Sequence, residues 1–217
     1  MKVNVVSPFA EATPSQILDF LSRSDALLTI LPGISDNHPT VEEVQSCIKR
    51  NSFVFMEIKD DGRNAIKKHV WPSIVSKKEI SRMPKQIFSE NPRSSDVRGL
   101  LDIMGERTKT FSFDGASVSI SFIICGEING FNPDGNLKFG YPFSHTNLVV
   151  PCHTIMSHWN WLNPKLENLS IEGKLIYVTN NDRNSQKITS SLRIYNNGRR
   201  SETRRSAPGL FWAQTEI

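Results

Sequence analysis

The 217-residue sequence predicts a layered α/β domain built around a mixed sheet. Three observations support this fold class. Strand-type and helix-type segments alternate along most of the chain, which is typical of layered α/β folds rather than of separate helical and strand regions. Continuous apolar runs such as 26–31 match strands that are buried on both faces. Helix-capping residues stand directly before two of the amphipathic segments.

The N-terminal part of the chain is predicted to alternate strands and helices. Thr13 and Pro14 are typical of a helix start, because threonine caps free backbone N–H groups and proline suits the first helical position. Thr40 and Glu43 have the spacing of a capping box at a second helix start. The predicted elements are a strand at 2–6, a helix from Thr13, a strand at 26–31, a helix from Thr40 and a strand at 52–58.

The remainder of the chain is predicted to be richer in strands. A return strand at 64–67 follows the turn at 60–62, and the polar stretch 72–107 is expected to be a long irregular connection. Strand-forming residues and glycine-containing turns predict the later elements. These are a hairpin of 108–113 and 117–125, a strand at 147–150, a helix at 159–172, and strands at 175–179, 191–195 and 210–213.

Composition restricts the class of protein. Hydrophobic residues make up 38% of the chain and charged residues 22%, which is ordinary for a globular protein with a substantial core. No apolar run approaches the roughly 20 residues of a transmembrane helix, and the first residues are too polar for a secretory signal. The three cysteines form no even disulfide framework, so we expect reduced thiols in a cytoplasmic protein.

Metal, cofactor and nucleic-acid binding have little support in the sequence. The cysteines and histidines show no metal-ligand spacing and no glycine-rich phosphate loop is present, so no metal and no cofactor are expected. A basic cluster near the C-terminus contributes to the net charge of +4. Such a cluster alone is a weak sign of a polyanion site, so a nucleic-acid-associated protein is the weakest alternative. The cluster consists of Arg199, Arg200, Arg204 and Arg205.

Cys125 is the candidate nucleophile, because it ends an apolar run at 122–124 and is followed by Gly126 and Glu127. A nucleophilic cysteine needs its thiolate form and a group that stabilises the oxyanion formed on attack. Lys67 is predicted at the end of another strand, and strand ends of one α/β sheet meet at one edge. A lysine there would lower the pKa of the thiol, and Glu127 would orient the lysine or the thiol.

Each of these residues also has a structural interpretation. Buried cysteine is common in protein cores, so Cys125 is also interpreted as a small core residue. Lys67 and Lys68 are also interpreted as surface charges, and His153 as a hydrogen-bonding residue of a loop. The case for function depends on whether other parts of the chain supply the groups that a reactive thiol needs.

Several segments, in the same order, resemble the nitrilase (carbon–nitrogen hydrolase) superfamily. The segment 51–70 contains a Lys-x-His-hydrophobic motif, like the segment that carries the catalytic lysine of that family. The segment 123–127 resembles the one that carries the catalytic cysteine, and 148–154 resembles the strand and loop that line the pocket. With 159–180 and 191–198, the resemblance covers nearly the whole chain.

The resemblance implies one carbon–nitrogen hydrolase-like domain over residues 1–217, folded as an αββα four-layer sandwich with mixed sheets and often paired as a homodimer. It implies hydrolysis of a C–N bond in a small-molecule amide or nitrile through a thioester-type intermediate on Cys125. Lys67, with Lys68 as the alternative, would stabilise the tetrahedral intermediate together with a backbone N–H. The residues implied to bind substrate are Gly126, through that N–H, Cys152 and His153.

One position departs from the pattern of the family. The family has a general-base glutamate after its second strand, in the form hydrophobic-Pro-Glu, and Gly33 occupies that position here. General-base assistance typically contributes about 10² to 10⁴ in rate. Glu42, Glu43 and Glu106 are conceivable replacements. A catalytically impaired binding or sensing module on the same fold is therefore the alternative function.

Overall fold

The structure, a computed structural model, describes residues 1–33, 38–59, 70–153, 159–180 and 192–217. The α-helices in these ranges are α1 (Pro14–Arg23), α2 (Val41–Cys47), α3 (Ser94–Arg107) and α4 (Trp159–Leu169). None of these helices is long and apolar enough to cross a bilayer. The strands are β1 (Lys2–Pro8), β2 (Leu28–Ile30), β3 (Phe53–Lys59), β4 (Val70–Ser76), β5 (Ile80–Arg82), β6 (Thr108–Phe113), β7 (Ala116–Phe122), β8 (Asn147–Cys152), β9 (Lys174–Thr179), β10 (Leu192–Asn196), β11 (Arg199–Arg200), β12 (Arg205–Ala207) and β13 (Leu210–Glu216).

These strands form two mixed sheets. One sheet has the order β12-β13-β1-β2-β3-β4-β5, and the other has the order β11-β10-β9-β8-β7-β6. In the first sheet β1, β2 and β3 run parallel, and in the second β7, β8 and β9 run parallel. The remaining neighbours are antiparallel. Each sheet therefore has three parallel strands whose carboxyl ends point to the same edge.

Side chains of β3 alternate between two hydrophobic clusters, as the two-residue period of a strand requires. Val54 packs in a cluster with Ile17 of α1 and Val44 of α2. Phe55 points the other way and packs with residues of the second sheet, including Phe122 of β7. A third cluster joins the outer face of the second sheet to α3 and α4. The layers are therefore helices, sheet, sheet and helices, and the chain has a mixed α/β fold.

Two aromatic rings stack between the sheets close to the ends of their strands. The rings of Phe55 and Phe122 lie 5.1 Å apart, centroid to centroid, with an interplanar angle of 8°. Phe55 is two residues before Glu57 on β3, and Phe122 is three residues before Cys125. The stack therefore packs the two sheets together close to Glu57 and Cys125.

Both predicted helix starts are confirmed. The Thr13 hydroxyl accepts a hydrogen bond from the backbone N–H of Gln16, and the Gln16 side chain accepts one from the backbone N–H of Thr13. Thr40 and Glu43 make the same reciprocal pair, at 3.2 and 2.8 Å. Because these bonds satisfy backbone donors that have no partner inside the helix, the local sequence was enough to locate both starts.

The prediction of an irregular connection at 72–107 is wrong, because this stretch contains most of β4, all of β5 and all of α3. Helix α3 follows Arg93, which makes no side-chain capping bond, and it contains Gly99 and Gly105. Glycine lowers helix propensity, so the local signals are weak. Burial of Val97 and its neighbours against the second sheet compensates for them.

Several boundaries also differ from the predictions. The predicted strand at 64–67 lies outside the described residues. Strand β7 ends at Phe122, earlier than predicted, because the chain turns sharply soon afterwards at Cys125. Strand β8 continues through Pro151, where the missing N–H of proline had predicted an end. Helix α4 ends at Leu169, and the short strands β11 and β12 were not predicted.

Candidate active site

The carboxyl ends of parallel strands from both sheets meet at one shared edge. Glu57 lies near the end of β3, Cys125 follows β7, and Cys152 ends β8 with His153 directly after it. The His153 ring bridges the two sheets, since its Nε2–H donates a 2.8 Å hydrogen bond to Glu57 Oε1. This is the kind of edge at which α/β folds hold their sites.

Cys125 occupies a strained backbone position. It opens a 3-10 turn, Cys125–Gly130, and its φ of 48° lies in the left-handed region that L-residues rarely adopt. A non-glycine residue held in this region costs about 1–3 kcal/mol, and such residues concentrate at functional sites. The residue is partly exposed, whereas its neighbour Cys152 is buried.

The pKa of Cys125 is lowered well below its ordinary value, chiefly through hydrogen bonding with the Cys152 thiol. Hydrogen bonding with the ring and backbone of His153 and the charge of that ring add to this effect, and together these causes outweigh burial. Burial alone would lower the pKa of His153, but the neighbouring Glu57 carboxylate and Cys125 sulfur raise it to about 10. Near neutral pH the pair is therefore a thiolate beside an imidazolium.

The bridge between His153 and Glu57 is buried, with side-chain exposures of 4% and 0%. Since Glu57 binds Nε2, the ring nitrogen left for Cys125 is Nδ1. The second carboxylate oxygen, Glu57 Oε2, has no hydrogen-bond partner within the described residues. A buried carboxylate that orients an imidazole beside a nucleophile is the geometry of an activated cysteine, and the open oxygen leaves it able to interact with a further group.

Glu127 makes its contacts with other groups. Its carboxylate accepts hydrogen bonds of 2.6 and 3.1 Å from the Arg107 guanidinium, and both side chains are fully buried. The backbone N–H groups of Ile87 and Ile124 donate two more bonds to it, each of 2.8 Å. Arg107 also donates to the backbone carbonyl of Pro84. Glu127 thus ties the turn after Cys125 to the segment before α3, and its predicted catalytic role stays a prediction.

Gly126 is required by the close approach of another backbone segment. A Cβ atom at this position would lie 2.2 Å from the carbonyl oxygen of Ser89, which is too close for any side chain. The Asn129 amide donates a 2.7 Å hydrogen bond to the same oxygen. The turn that carries Cys125 is therefore held on two sides, and the role of the Gly126 N–H in substrate binding stays a prediction.

The predicted lysines, Lys67 and Lys68, lie outside the described residues, as does His69. The described residues on either side of them are Lys59 and Val70, which pair with each other across β3 and β4. Lys59 is two residues after Glu57. The structure therefore brings together Cys125, Cys152 and His153 of the predicted site residues, with Gly126 adjoining them.

Gly33, the position where the resembling family has a glutamate, faces Asn180. Its φ is 75°, and a Cβ atom there would lie 2.4 Å from Asn180 Nδ2. The conceivable replacements Glu42, Glu43 and Glu106 have exposed side chains, and Glu43 is engaged in the capping box of α2. Glu57 is instead a buried carboxylate that is linked to the site through His153.

Unpartnered polar atoms collect beside this group. In the described part of the chain, the Thr179 hydroxyl and both polar atoms of the Asn180 amide are buried without hydrogen-bond partners. Thr179 pairs with Cys152 across β8 and β9, and Asn180 is one residue further along. Buried polar groups are normally satisfied, so these atoms are candidates for ligand contacts. Across the described ranges no three His, Cys, Asp or Glu side chains are grouped to hold a metal ion.

The basic C-terminal cluster is largely engaged in local contacts. Arg200 and Arg204 both form ion pairs with the buried carboxylate of Glu202. The Arg205 guanidinium lies over the Trp212 ring, 4.9 Å from its centroid. These contacts hold three of the four arginines of the cluster in local interactions.

Sequence reasoning missed Glu57, although the chain contained a signal for it. Phe53, Phe55 and Glu57 alternate along β3, so a carboxylate interrupts an apolar face that points between the sheets. A charged residue at such a position is rarely buried unless it is paired. It therefore required a partner, and His153 supplies it from the other sheet.

Comparison with known proteins assigns no family to the chain. No protein-family model matches it, and no curated protein matches it. Its function is therefore inferred from the contacts of Cys125, His153 and Glu57.

Proposed function

We propose that this chain is a nitrilase-like carbon–nitrogen hydrolase that cleaves a small-molecule amide or nitrile through a covalent intermediate on Cys125. One observation carries the proposal: the His153 ring, which is held by the buried Glu57 carboxylate, lies near enough to Cys125 to lower the pKa of its thiol. Acyl transfer to cysteine requires a thiolate and a positioned proton carrier. A cysteine that served only as core filler would need neither of these, nor a strained backbone.

In the first half of the proposed reaction, the Cys125 thiolate attacks the carbonyl carbon of an amide. A C–S bond forms, and the carbonyl π electrons move onto oxygen to give a tetrahedral intermediate. When this intermediate collapses, the C–N bond breaks and the leaving nitrogen takes a proton from the His153 imidazolium. A thioester on Cys125 and a neutral imidazole remain.

In the second half, neutral His153 takes a proton from a water molecule whose oxygen attacks the thioester carbon. The C–S bond then breaks, the carboxylic acid leaves, and the thiolate is restored beside the imidazolium. Glu57 acts through His153 by orienting the ring and stabilising its positive charge, so it is a positioning residue. The pair of His153 and Glu57 would supply the general base that is missing because glycine stands at position 33.

The groups that stabilise the oxyanion remain those expected from the sequence. The backbone N–H of Gly126 directly follows the nucleophile, as oxyanion donors often do. Lys67 is three residues before Val70, which pairs with Lys59 at the same end of β3 as Glu57. A cation at this end would stabilise negative charge on the substrate oxygen, and Lys68 is the alternative.

The unpartnered polar atoms support a neutral substrate. Asn180 offers two N–H donors and one carbonyl acceptor, and Thr179 offers a hydroxyl that does both. A carboxamide also donates and accepts, so it matches this set. An anionic substrate would be repelled by Glu57, which carries a charge of the same sign. We therefore expect simple neutral amides or nitriles to bind better than acids.

The finer fold assignment is part of the same proposal. The layer order of helices, sheet, sheet and helices supports a nitrilase-like αββα sandwich, as does the set of three parallel strands in each sheet. The homodimer that the resemblance implies remains a prediction. Sedimentation velocity tests it, and a monomer at all concentrations would contradict it.

The test is to incubate the chain with a panel of neutral amides, nitriles and activated esters and to measure released ammonia and intact mass. A hydrolase should form an adduct or release ammonia, and Cys125→Ala should abolish both. Cys47→Ala is the matched control, because Cys47 lies at the end of α2 away from the strand ends.

Two outcomes would contradict hydrolysis. One is that no substrate gives an adduct or ammonia while Cys125 is alkylated no faster than Cys47. The other is that ammonia release persists in Cys125→Ala. Tight binding of an amide with no adduct and no turnover would support the binding or sensing module instead.

A further inference from the structure

Cys125 and Cys152 lie side by side because of the register of β7 and β8. These strands are parallel, with Ser121 opposite Leu148 and Phe122 opposite Val149. The ladder continues with a 3.0 Å hydrogen bond from the Ile123 N–H to the Val149 carbonyl. Cys125 follows the end of β7 by three residues, and Cys152 ends the neighbouring strand β8.

The two thiols are close enough for each to change the pKa of the other. Neighbouring strands are about 4.8 Å apart, which lies within the Cα separations of roughly 4.4–6.8 Å that disulfides span. Hydrogen bonding with the Cys152 thiol is the largest cause of the lowered pKa of Cys125. Two cysteines that follow or end neighbouring parallel strands, with thiols that interact, satisfy the spacing that a disulfide requires.

The environments of the two thiols are unequal. Cys125 is partly exposed, whereas Cys152 is fully buried. Burial raises the pKa of Cys152, so it stays a thiol next to the Cys125 thiolate. Cysteines that sense oxidants are accessible and thiolate-rich, and they often stand next to a second, resolving cysteine. Cys125 therefore matches the cysteine that reacts with the oxidant, and Cys152 matches the resolving cysteine.

We infer that Cys125 and Cys152 form a reversible disulfide when a peroxide reaches the site, and that this disulfide switches off the nucleophile. The loss of hydrolysis rests on the proposed function, whereas disulfide formation does not. The pairing would also keep Cys125 from irreversible oxidation, because a disulfide is reduced again by thiols and a sulfinic acid is not.

The chemistry balances in two steps. The Cys125 thiolate attacks one peroxide oxygen, the O–O bond breaks, and hydroxide leaves with the electron pair, giving a sulfenic acid. The Cys152 sulfur then attacks the sulfenic sulfur, the S–S bond forms, and the S–O bond breaks. The departing hydroxide takes the Cys152 proton and becomes water. The two thiols thus lose two electrons, which reduce the peroxide.

The experiment treats the purified chain with hydrogen peroxide and measures intact mass, peptide linkage and alkylation of Cys125 by iodoacetamide. Wild type and Cys47→Ala should each lose two hydrogen atoms in mass and give a linked peptide that joins Cys125 to Cys152. Alkylation of Cys125 should fall by about tenfold or more and return after treatment with a dithiol. Cys152→Ser should instead gain oxygen on Cys125, and a dithiol should not fully restore it.

The inference is overturned if wild type gives no linked peptide and Cys125 gains oxygen as fast as in Cys152→Ser. A disulfide between Cys125 and Cys47 would overturn it as well. None of these measurements uses a substrate, so they separate the two proposals. A chain that hydrolyses amides but forms no disulfide refutes the redox pair alone, and a chain that forms the disulfide without hydrolysing any amide refutes the proposed function alone.

Discussion

Glu57 and Glu127 are both buried carboxylates near the Cys125 turn, yet their partners differ. Both oxygens of Glu127 bind the Arg107 guanidinium, and each also accepts a hydrogen bond from a backbone N–H. Glu57 binds His153 through one oxygen, while its other oxygen has no partner among the residues that the structure describes. Arg107 carries a permanent charge, whereas His153 can gain or lose a proton.

The comparison of Glu57 with Glu127 shows that burial and charge do not by themselves identify a functional carboxylate. A carboxylate whose acceptor sites are all filled by an arginine and backbone donors is part of the framework, because any change of partner would leave a buried charge uncompensated. A carboxylate bound to a titratable ring beside a thiol can respond to proton transfer. The chemical type of the partner distinguishes the two roles, and five experiments test this distinction.

The largest effect is expected from His153→Asn, which removes the proton carrier that Glu57 binds. We expect amide turnover to fall by about 10² to 10⁴, the usual contribution of a general acid–base residue. Steady-state release of ammonia measures it. The control is His145→Asn, since His145 binds the carbonyl of Leu169 and lies outside the site. If His153→Asn retained its turnover, Glu57 would have no catalytic role through His153.

On the Glu127 side, Glu127→Gln should act on stability. The variant leaves the Arg107 charge buried without a counter-ion, so the free energy of unfolding should fall by about 3–5 kcal/mol. Urea denaturation followed by circular dichroism measures the loss. Asp102→Asn is the control, because the exposed Arg98–Asp102 pair should be worth less than about 1 kcal/mol. A stable Glu127→Gln protein that has lost turnover would show instead that Glu127 is catalytic.

The third effect is expected from the lysines of the segment that follows β3, the strand that carries Glu57. Lys67→Met should lower turnover by about 10² to 10³ with a small change in stability, because it removes an oxyanion donor. Lys68→Met is the matched control in the same segment and should retain most activity. The opposite ranking would make Lys68 the functional lysine, and equal activity of both variants and wild type would exclude a lysine from the chemistry.

Gly33→Glu tests whether Glu57 and His153 already complete the site. The left-handed backbone at Gly33 and its contact with Asn180 make any side chain unfavourable there. We expect the free energy of unfolding to fall by about 1–3 kcal/mol and turnover not to rise. Chemical denaturation and ammonia release measure the two effects. A large gain in rate would mean that the base was missing and that the Glu57–His153 pair does not supply it.

The smallest expected change is in the pH dependence of Cys125 alkylation. The lowered pKa of Cys125 keeps the thiolate populated below the ordinary thiol range, so its alkylation rate should fall less between pH 8 and pH 6 than that of Cys47. An ordinary thiol loses about tenfold for each pH unit below its pKa, and burial raises the pKa of Cys47. Peptide mapping after iodoacetamide compares the two, and His153→Asn should make the Cys125 rate fall more steeply with decreasing pH than it does in wild type.

The sequence predicted local features of the fold better than long-range ones. Helix starts at Thr13 and Thr40 were predictable because each depends on a few adjacent side chains. Helix α3 was missed because its N-cap residue, Arg93, makes no side-chain capping bond and because the helix gains its stability from packing against the second sheet. The two-sheet arrangement came only from the resemblance, since nothing in a strand pattern states which sheet the strand will join.

The candidate site shows the same limit. Cys125, Cys152 and His153 were found because they stand in recognisable segments of strand ends. Glu57 was missed because its role comes from a partner 96 residues away in sequence and on the other sheet. The left-handed conformation of Cys125 was also not predictable, because it is imposed by the packing of the turn rather than by the residue.

The stacked rings of Phe55 and Phe122 have a consequence for how this chain tolerates change. They lie between the sheets just before Glu57 and Cys125, so the fit of the interior sets the separation of the reacting side chains. Trimming either ring would leave every polar group of the site intact and still shift one sheet against the other. Selection for activity would therefore constrain the interior of this protein more tightly than selection for folding alone.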